Sequence, residues 1–343
     1  MLTGNNLWDG FRTVTTGSPY GIAPEHFFFD SSVPQSFRSV LDRINNPEVA
    51  TIYGPVLEGL FALGFLIDPG NERLLRLFWA VANLGLTALF LRKVPAHRVA
   101  LYAWNPLVLK EVYLSGHPDA MLALLLCAGW LLSRKPDRTG FGIAMGLAAG
   151  VKIVAFAALP LLLRARHPLL AGLAAGMVLI LAYLPFLMLG GGESDLDGLL
   201  VFARRWEFNP SPLFVGVRHI AGETAAKAIL AALVMGSAVW LLGWRTISEL
   251  TLPPLHIVFG AILLASPVVN PWYLLWGLPA AVAGRASWPW VASFALLLSY
   301  ATGENLGSAT MDPFAVHPLA YWAQWSLILS AVACDIRRYR TTT

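Results

Sequence analysis

Charge is scarce in this chain: Asp, Glu, Lys and Arg make up 13% of its 343 residues, against roughly 25% in soluble domains. Hydrophobic residues make up 57%, more apolar surface than one soluble core can hide, so lipid is the solvent that suits it. Cysteine is nearly lacking. The two present, Cys127 and Cys334, lie far apart in apolar stretches, where a thiol packs as a small hydrophobe; this argues against a disulfide or a metal role. Also lacking are a Walker loop, a dinucleotide glycine fingerprint, an HExxH pair and a Ser/His/Asp spacing, which argues against a soluble nucleotide-dependent enzyme. No internal repeat and no low-complexity segment is present. Met1 to Asn6 is short and uncharged, unlike a signal peptide. Either a hydrophobic helix precedes it or a later helix carries the amino-terminal region across the membrane.

What the chain does have is a series of apolar stretches, among them Leu169 to Leu189, Ala225 to Trp244 and Leu319 to Cys334. Such stretches approach the roughly 20 residues needed to cross about 30 Å of hydrocarbon, and in lipid they must be helical to pair their backbone groups. The net charge of +4 sits in short basic clusters at the ends of these stretches, a pattern of topology and not of nucleic-acid binding. Placing Arg92-Lys93 with His97-Arg98, Arg134-Lys135 with Arg138, Arg164 to His167, Arg245, Arg285 and Arg337-Arg338-Arg340 in the cytoplasm predicts nine crossings. These run near 73–92, 98–114, 119–133, 169–190, 223–244, 255–269, 272–284, 287–301 and 319–335. Gly140 to Leu163 has basic clusters at both ends, which predicts a re-entrant hairpin turning near Gly150-Val151-Lys152. The fold expected is therefore an all-α polytopic transmembrane helical bundle. It has a large first extracytoplasmic loop (1–50), a juxtamembrane helix (51–67) and a transmembrane helical domain (68–343).

Polar residues at membrane depth cost several kcal/mol by most scales, so those present mark candidate sites. Trp8-Asp9-Gly10, Pro19-Tyr20 and Tyr53-Gly54-Pro55 form one group. Asp9 on a loop over the bilayer can take a proton from a hydroxyl as general base, or be a solvated aspartate beside a packed tryptophan. A second group holds Asn105-Pro106-Leu107, Lys110-Glu111 and Gly116-His117-Pro118-Asp119, where carboxylates and an imidazole converge near one membrane face. Asp119 would also serve as a helix cap. Lys152 is the third candidate; its point charge suits a lipid phosphate, and snorkelling is the bland alternative. The fourth group is Arg204-Arg205-Trp206-Glu207-Phe208-Asn209-Pro210 with Asn270-Pro271-Trp272-Tyr273. Paired arginines clamp phosphates and aromatic rings stack on sugars, although topology and an interfacial aromatic belt explain the same residues.

Taken in order, Leu7-Trp8-Asp9-Gly10, Pro19-Tyr20 to Pro24-Glu25, Ile44-Asn45, Thr51 to Pro55, Asn105-Pro106-Leu107, Glu111, Gly116 to Ala120, Gly150-Val151-Lys152 to Pro160, Trp206 to Asn209 and Asn270 to Trp276 span most of the chain. Together they resemble the polyprenol-phosphate-mannose-dependent mannosyltransferases of the glycosyltransferase C superfamily. The resemblance implies an integral protein of the cell (plasma) membrane with its active site on the extracytoplasmic side. It implies transfer of a sugar, mannose, from a polyprenyl-phosphate carrier to an acceptor glycan or glycolipid. Asp9, Asp119 and Glu111 are then the catalytic candidates. Trp8, Tyr20, Tyr53, Asn105, His117, Lys152, Arg204, Arg205, Asn209, Asn270, Trp272 and Tyr273 are the candidates for substrate binding. No metal ligand and no definite cofactor is expected, and a divalent cation stays open. Relatives begin with a hydrophobic helix and an acid ahead of an Arg-Tyr-x-Trp-Asp-Gly run, where this chain has Met1 and Asn5-Asn6. Either its start lies further upstream or it is a diverged, inactive scaffold. A transporter or lipid flippase is the rival from another class.

Overall fold

A computed structural model describes residues 3–133, 139–190, 193–243 and 252–342. Among them the chain is helical throughout, with two isolated β-bridges and no strand. Helices α1 (Thr3–Thr16), α2 (Gln35–Leu41) and α3 (Pro55–Ile67) precede the first long one, α4 (Glu72–Leu91). Next come α5 (Ala96–Ala103), the short α6 (Pro106–Val108) running into a π-helical turn over Leu109–Leu114, α7 (Asp119–Leu132), α8 (Thr139–Val151), a 3-10 helix over Ile153–Arg164, and α9 (Pro168–Leu189). The remainder comprises α10 (Asp195–Arg205), α11 (Pro212–Ala221), α12 (Glu223–Gly243), α13 (Leu255–Ala265), a 3-10 helix over Pro271–Trp276, α14 (Leu278–Ala283), α15 (Trp288–Ala295) with a 3-10 extension to Tyr300, and α16 (Pro318–Thr342).

Among the described residues four helices are long and apolar enough to cross a membrane: Glu72–Leu91, Pro168–Leu189, Glu223–Gly243 and Pro318–Arg338. A fifth candidate is the bent pair Pro106–Leu114 and Asp119–Leu132. This is fewer than the nine crossings that the charge pattern predicts, because several apolar stretches are interrupted. Stretch 98–114 breaks at Asn105-Pro106, 255–269 forms an 11-residue helix, and 272–284 divides between a 3-10 helix and α14. The segment read as one outer loop, 1–50, contains α1, α2 and a 3-10 turn at Pro24–Phe27. Arg134-Lys135, Arg138 and Arg245 lie outside the described residues.

The chain divides into two compact units, one of Met1–Leu86 with Val112–Trp206 and the other of Thr87–Glu111 with Glu207–Thr343. In the first, α1 lies against α3 because Gly10 leaves room for it; a Cβ there would stand 2.4 Å from the carbonyl oxygen of Phe61. Aromatic rings add to it: Phe11 stands 5.9 Å from Phe65 of α3 and stacks on Phe37 of α2 at 4.5 Å, while Trp8 lies 5.3 Å from Phe27. Helix α8 packs on both α7 and α9 through small residues. Added Cβ atoms at Gly142 and Gly146 would meet the carbonyl oxygens of Ala171 and Ala175 at 2.2 and 2.5 Å, while one at Gly150 would meet Val56 of α3 at 2.6 Å. Glycines four residues apart let two helix backbones approach closely, which is how helices associate where lipid cancels the hydrophobic drive. Gly146→Leu is therefore expected to cost about 3 kcal/mol. Gly176→Leu, on α9 with nothing within 4 Å, should change stability by less than about 0.5 kcal/mol. Thermal unfolding in detergent compares the two, and equal losses would refute the close approach.

In the second unit α11, α12 and α13 pack on one another, and α15 packs along α16. Asp335 near the end of α16 accepts hydrogen bonds from the Ser287 amide (2.7 Å), the Ser287 hydroxyl (2.6 Å) and the Trp288 amide (2.9 Å), so a buried carboxylate satisfies the amino end of α15. Cys127 is buried, Cys334 is exposed, and neither forms a disulfide.

Candidate functional site

The short extended stretch Thr51 to Gly54 connects two clusters of buried charge in the first unit. Its glycine is required by close approach: the Gly54 amide donates to the Val151 carbonyl at 3.2 Å, and a Cβ at Gly54 would stand 2.4 Å from the Gly150 oxygen. On one side, the Thr51 hydroxyl donates to Glu58 Oε1 at 2.8 Å and also bonds Asp9. On the other side, the Tyr53 ring has Lys152 Nζ 5.8 Å from its centroid. The Tyr20 hydroxyl donates to the Tyr53 carbonyl at 3.1 Å and fixes the stretch from above.

Asp9 on α1 is 5% exposed and Glu58 on α3 is wholly buried. Burial pushes the Asp9 carboxyl up to about 7, with the Thr51 hydroxyl and Arg12 pulling it back. Glu58 is also raised well above the usual range, first by burial and then by the charge of Asp9. Each acid's charge raises the other's proton affinity in this desolvated site, so ionising both together is disfavoured. Around it, Glu58 Oε2, both amide atoms of Asn6 and the Thr13 hydroxyl have no hydrogen-bond partner among the described residues. Buried polar atoms left this way cost roughly 1–3 kcal/mol each and call for a functional explanation. Asp195, 2% exposed, accepts from the Tyr183 hydroxyl at 2.8 Å; its own carboxyl is raised by burial and in turn raises Glu58.

The second cluster is an ion pair, with Lys152 Nζ 3.0 Å from Asp119 Oδ1. Lys152 sits where α8 ends and the 3-10 helix begins, in extended backbone at φ −158 and ψ 133. The sequence predicts a re-entrant hairpin turning near Gly150-Val151-Lys152, and at that position the structure has a break between two helices. Asp119 opens α7 after Gly116, at φ +73, has reversed the chain. The N-cap position is Pro118, without a side-chain cap, and Oδ1 of Asp119 goes to the lysine instead. His117 beside it is 3% exposed.

The remaining candidates are placed as follows. Trp8 packs in the α1 aromatic cluster. Arg204 is exposed at the end of α10, and the Arg205 side chain lies outside the described set. In the second unit, Glu111 Oε1 accepts from the Tyr300 hydroxyl at 2.7 Å and stands 3.4 Å from Lys110 Nζ, which itself lies 3.6 Å from the centre of the Tyr300 ring. Asn105 caps the Pro106 helix through the Leu107 amide and donates to the Ser293 hydroxyl at 2.7 Å. Asn209, at φ 50, donates to the Val269 carbonyl at 3.0 Å and accepts from Gln324. Asn270 starts the 3-10 helix over Pro271–Trp276, Tyr273 stacks on Trp276 at 4.4 Å, and Trp272 stands edge-on to Tyr273. In Asn105 and Asn209 a structural role accounts for every contact described here.

Thus Asp119 and Lys152 are brought into direct contact, Tyr53 adjoins the lysine, Tyr20 bonds the Tyr53 carbonyl, and Asp9 acquires a partner the sequence reading passed over. Glu58 is the missed residue. Its one signal in the sequence is a single acid within the apolar run Pro-Val-Leu-Glu-Gly-Leu-Phe. Among the described residues no group of three or more His, Cys, Asp or Glu is arranged to hold a metal ion. Compared with known proteins, no family, no characterised chain and no solved structure matches this one.

Proposed function

We propose that this chain is a membrane glycosyltransferase that moves a sugar, mannose by resemblance, from a polyprenyl-phosphate carrier to an extracytoplasmic glycan or glycolipid acceptor. The observation that carries the reading is the joining, through Thr51 to Gly54, of two buried acids, Asp9 and Glu58, to a buried lysine. A glycosyl phosphate needs both. The acceptor oxygen bonds to the anomeric carbon as the carbon to phosphate-oxygen bond breaks and the phosphate leaves with the electron pair. Asp9 takes the proton of the acceptor hydroxyl, its raised affinity matching it to work near neutral pH. Glu58, whose charged form is disfavoured by burial and by Asp9, keeps a second negative charge out of the pocket. Lys152 meets the charge that grows on the departing phosphate, and a preorganised cation in a desolvated site is where such stabilisation is largest. Asp119 acts as a positioning residue that aims the ammonium group.

The test is to reconstitute the purified chain in lipid vesicles with polyprenyl-phosphate mannose and a panel of glycan and glycolipid acceptors, with and without a chelator. Transfer to at least one acceptor is expected. Movement of labelled carrier lipid between leaflets without transfer would replace the proposal by the flippase reading. Neither activity with any acceptor would leave the inactive scaffold standing. Loss of transfer with the chelator would add a divalent cation to the mechanism.

A further inference from the structure

The second unit contains a cavity of about 340 Å³ that the proposed chemistry does not use. Its walls come from α12, α13, α15 and α16 and are almost wholly apolar, with Leu263, Trp288, Trp325 and Val332 among them. That volume falls at the lower end of the roughly 300–1,000 Å³ usual for ligand pockets. It is elongated along the helices, running from His256 to Leu264 on α13 and from Trp325 to Ile336 on α16, or about 12 Å and about 16 Å at 1.5 Å per residue. Leu233 of α12 and Ile336 of α16 line it and are 43% and 50% exposed, so it opens sideways between two candidate membrane-spanning helices.

The cavity has one polar end. His256 at the start of α13 and Asp335 near the end of α16 both line it there. Asp335 is occupied by three hydrogen bonds from Ser287 and Trp288. His256 is 4% exposed, and its Nδ1 has no hydrogen-bond partner among the described residues. Exposed arginines flank the same end: Arg285 precedes the lining residue Ala286, and Arg337 follows Ile336. Basic residues at helix ends mark the cytoplasmic headgroup level, and basic pockets between membrane helices on that side attract anionic lipid headgroups.

We propose that this cavity binds one acyl chain of an anionic phospholipid of the cytoplasmic leaflet, with the phosphate against Arg285 and Arg337. The slot admits hydrocarbon and nothing that needs many hydrogen bonds. His256, which lines the polar end and whose Nδ1 lacks a hydrogen-bond partner among the described residues, would donate to the ester carbonyl of such a lipid in its Nδ1–H tautomer. The site stands apart from the proposed transfer chemistry and does not depend on it.

Thermal unfolding of the full chain in detergent, titrated with phosphatidylglycerol or with phosphatidylcholine bearing identical acyl chains, tests the assignment. Phosphatidylglycerol should raise Tm by about 4 °C or more at saturation and phosphatidylcholine by clearly less. Val332→Trp, which fills the slot, should lose the response, and Arg285→Gln with Arg337→Gln should reduce phosphatidylglycerol to the level of phosphatidylcholine. The paired arginine variant changes only exposed side chains and keeps the test decisive if the tryptophan variant fails to fold. Equal shifts from the two lipids, an unaltered response in the arginine variant, or an equal shift from soluble glycerol phosphate would overturn the proposal.

Discussion

Asp9→Asn is expected to lower sugar transfer by about a thousandfold, the middle of the range for losing a general base, while leaving the protein folded. Its pH signature separates this from a structural loss. Because burial raises the Asp9 carboxyl to about 7, the base is formed as pH rises through that value, and wild-type transfer should rise with it. The stability argument has the opposite slope. An acid whose folded affinity for protons exceeds its unfolded affinity favours the folded state most at acid pH. That contribution declines from the unfolded value near 3.8 up to about 7. Asparagine carries no charge to desolvate, so the variant should be at least as stable as wild type on the alkaline side and should lack this decline. Thr51→Val, which deletes a hydrogen bond that holds the acid down, should move the activity midpoint upward. A transfer rate near wild type in Asp9→Asn, or a wild-type profile flat across neutrality, would remove Asp9 as the base.

The Asp119–Lys152 pair should behave as a unit. Lys152→Met leaves a buried carboxylate facing a thioether and should cost about 3–5 kcal/mol, and Asp119→Asn should cost less because it strands the lysine without its charge partner but keeps an oxygen acceptor. Combining them removes both charges, and stability should recover by more than the single losses predict, a coupling of at least about 1 kcal/mol. Transfer should not recover with it. Loss of the cation alone is expected to reduce the rate by about 10²–10³-fold, whether or not Asp119 is present. A double variant that is stable and transfers sugar at the wild-type rate would show that the pair holds helices together and does nothing else.

Much of this arrangement could be read in the chain before folding. Long apolar runs such as Pro168–Leu189 declare their helices by length, and the break at Lys152 is visible as a polar residue following a glycine-rich segment. Helix α1 was less legible. Gly4 and Gly10 weaken its intrinsic helix propensity, yet Gly10 is what allows α1 to lie on α3, so the feature that argues against the helix locally is the one that stabilises it in the fold. Fewer than nine of the described helices are long and apolar enough to span alone, because charge clusters report where a chain turns, not whether the segment between them stays in one helix. At the candidate site, Asp119 and Lys152 were each identifiable as polar residues in apolar surroundings. Their pairing across 33 positions depends on how α7 packs on α8 and leaves no periodic trace. Glu58 and Thr51 meet Asp9 for the same kind of reason.

Helix α9 touches its own unit largely through the glycine stripe of α8, and only 11% of its most apolar window is buried. Leu173, Ile180 and Met188 all face outward. With 22 residues it measures about 33 Å, slightly more than an average hydrocarbon layer. A rod held along one smooth seam and wetted by acyl chains elsewhere responds to bilayer thickness by tilting. The carboxyl-terminal half of α9 contacts Tyr20 through Phe186 and Asp195 through Tyr183, so a thinner or thicker membrane would be felt first at the tyrosine that braces Thr51 to Gly54.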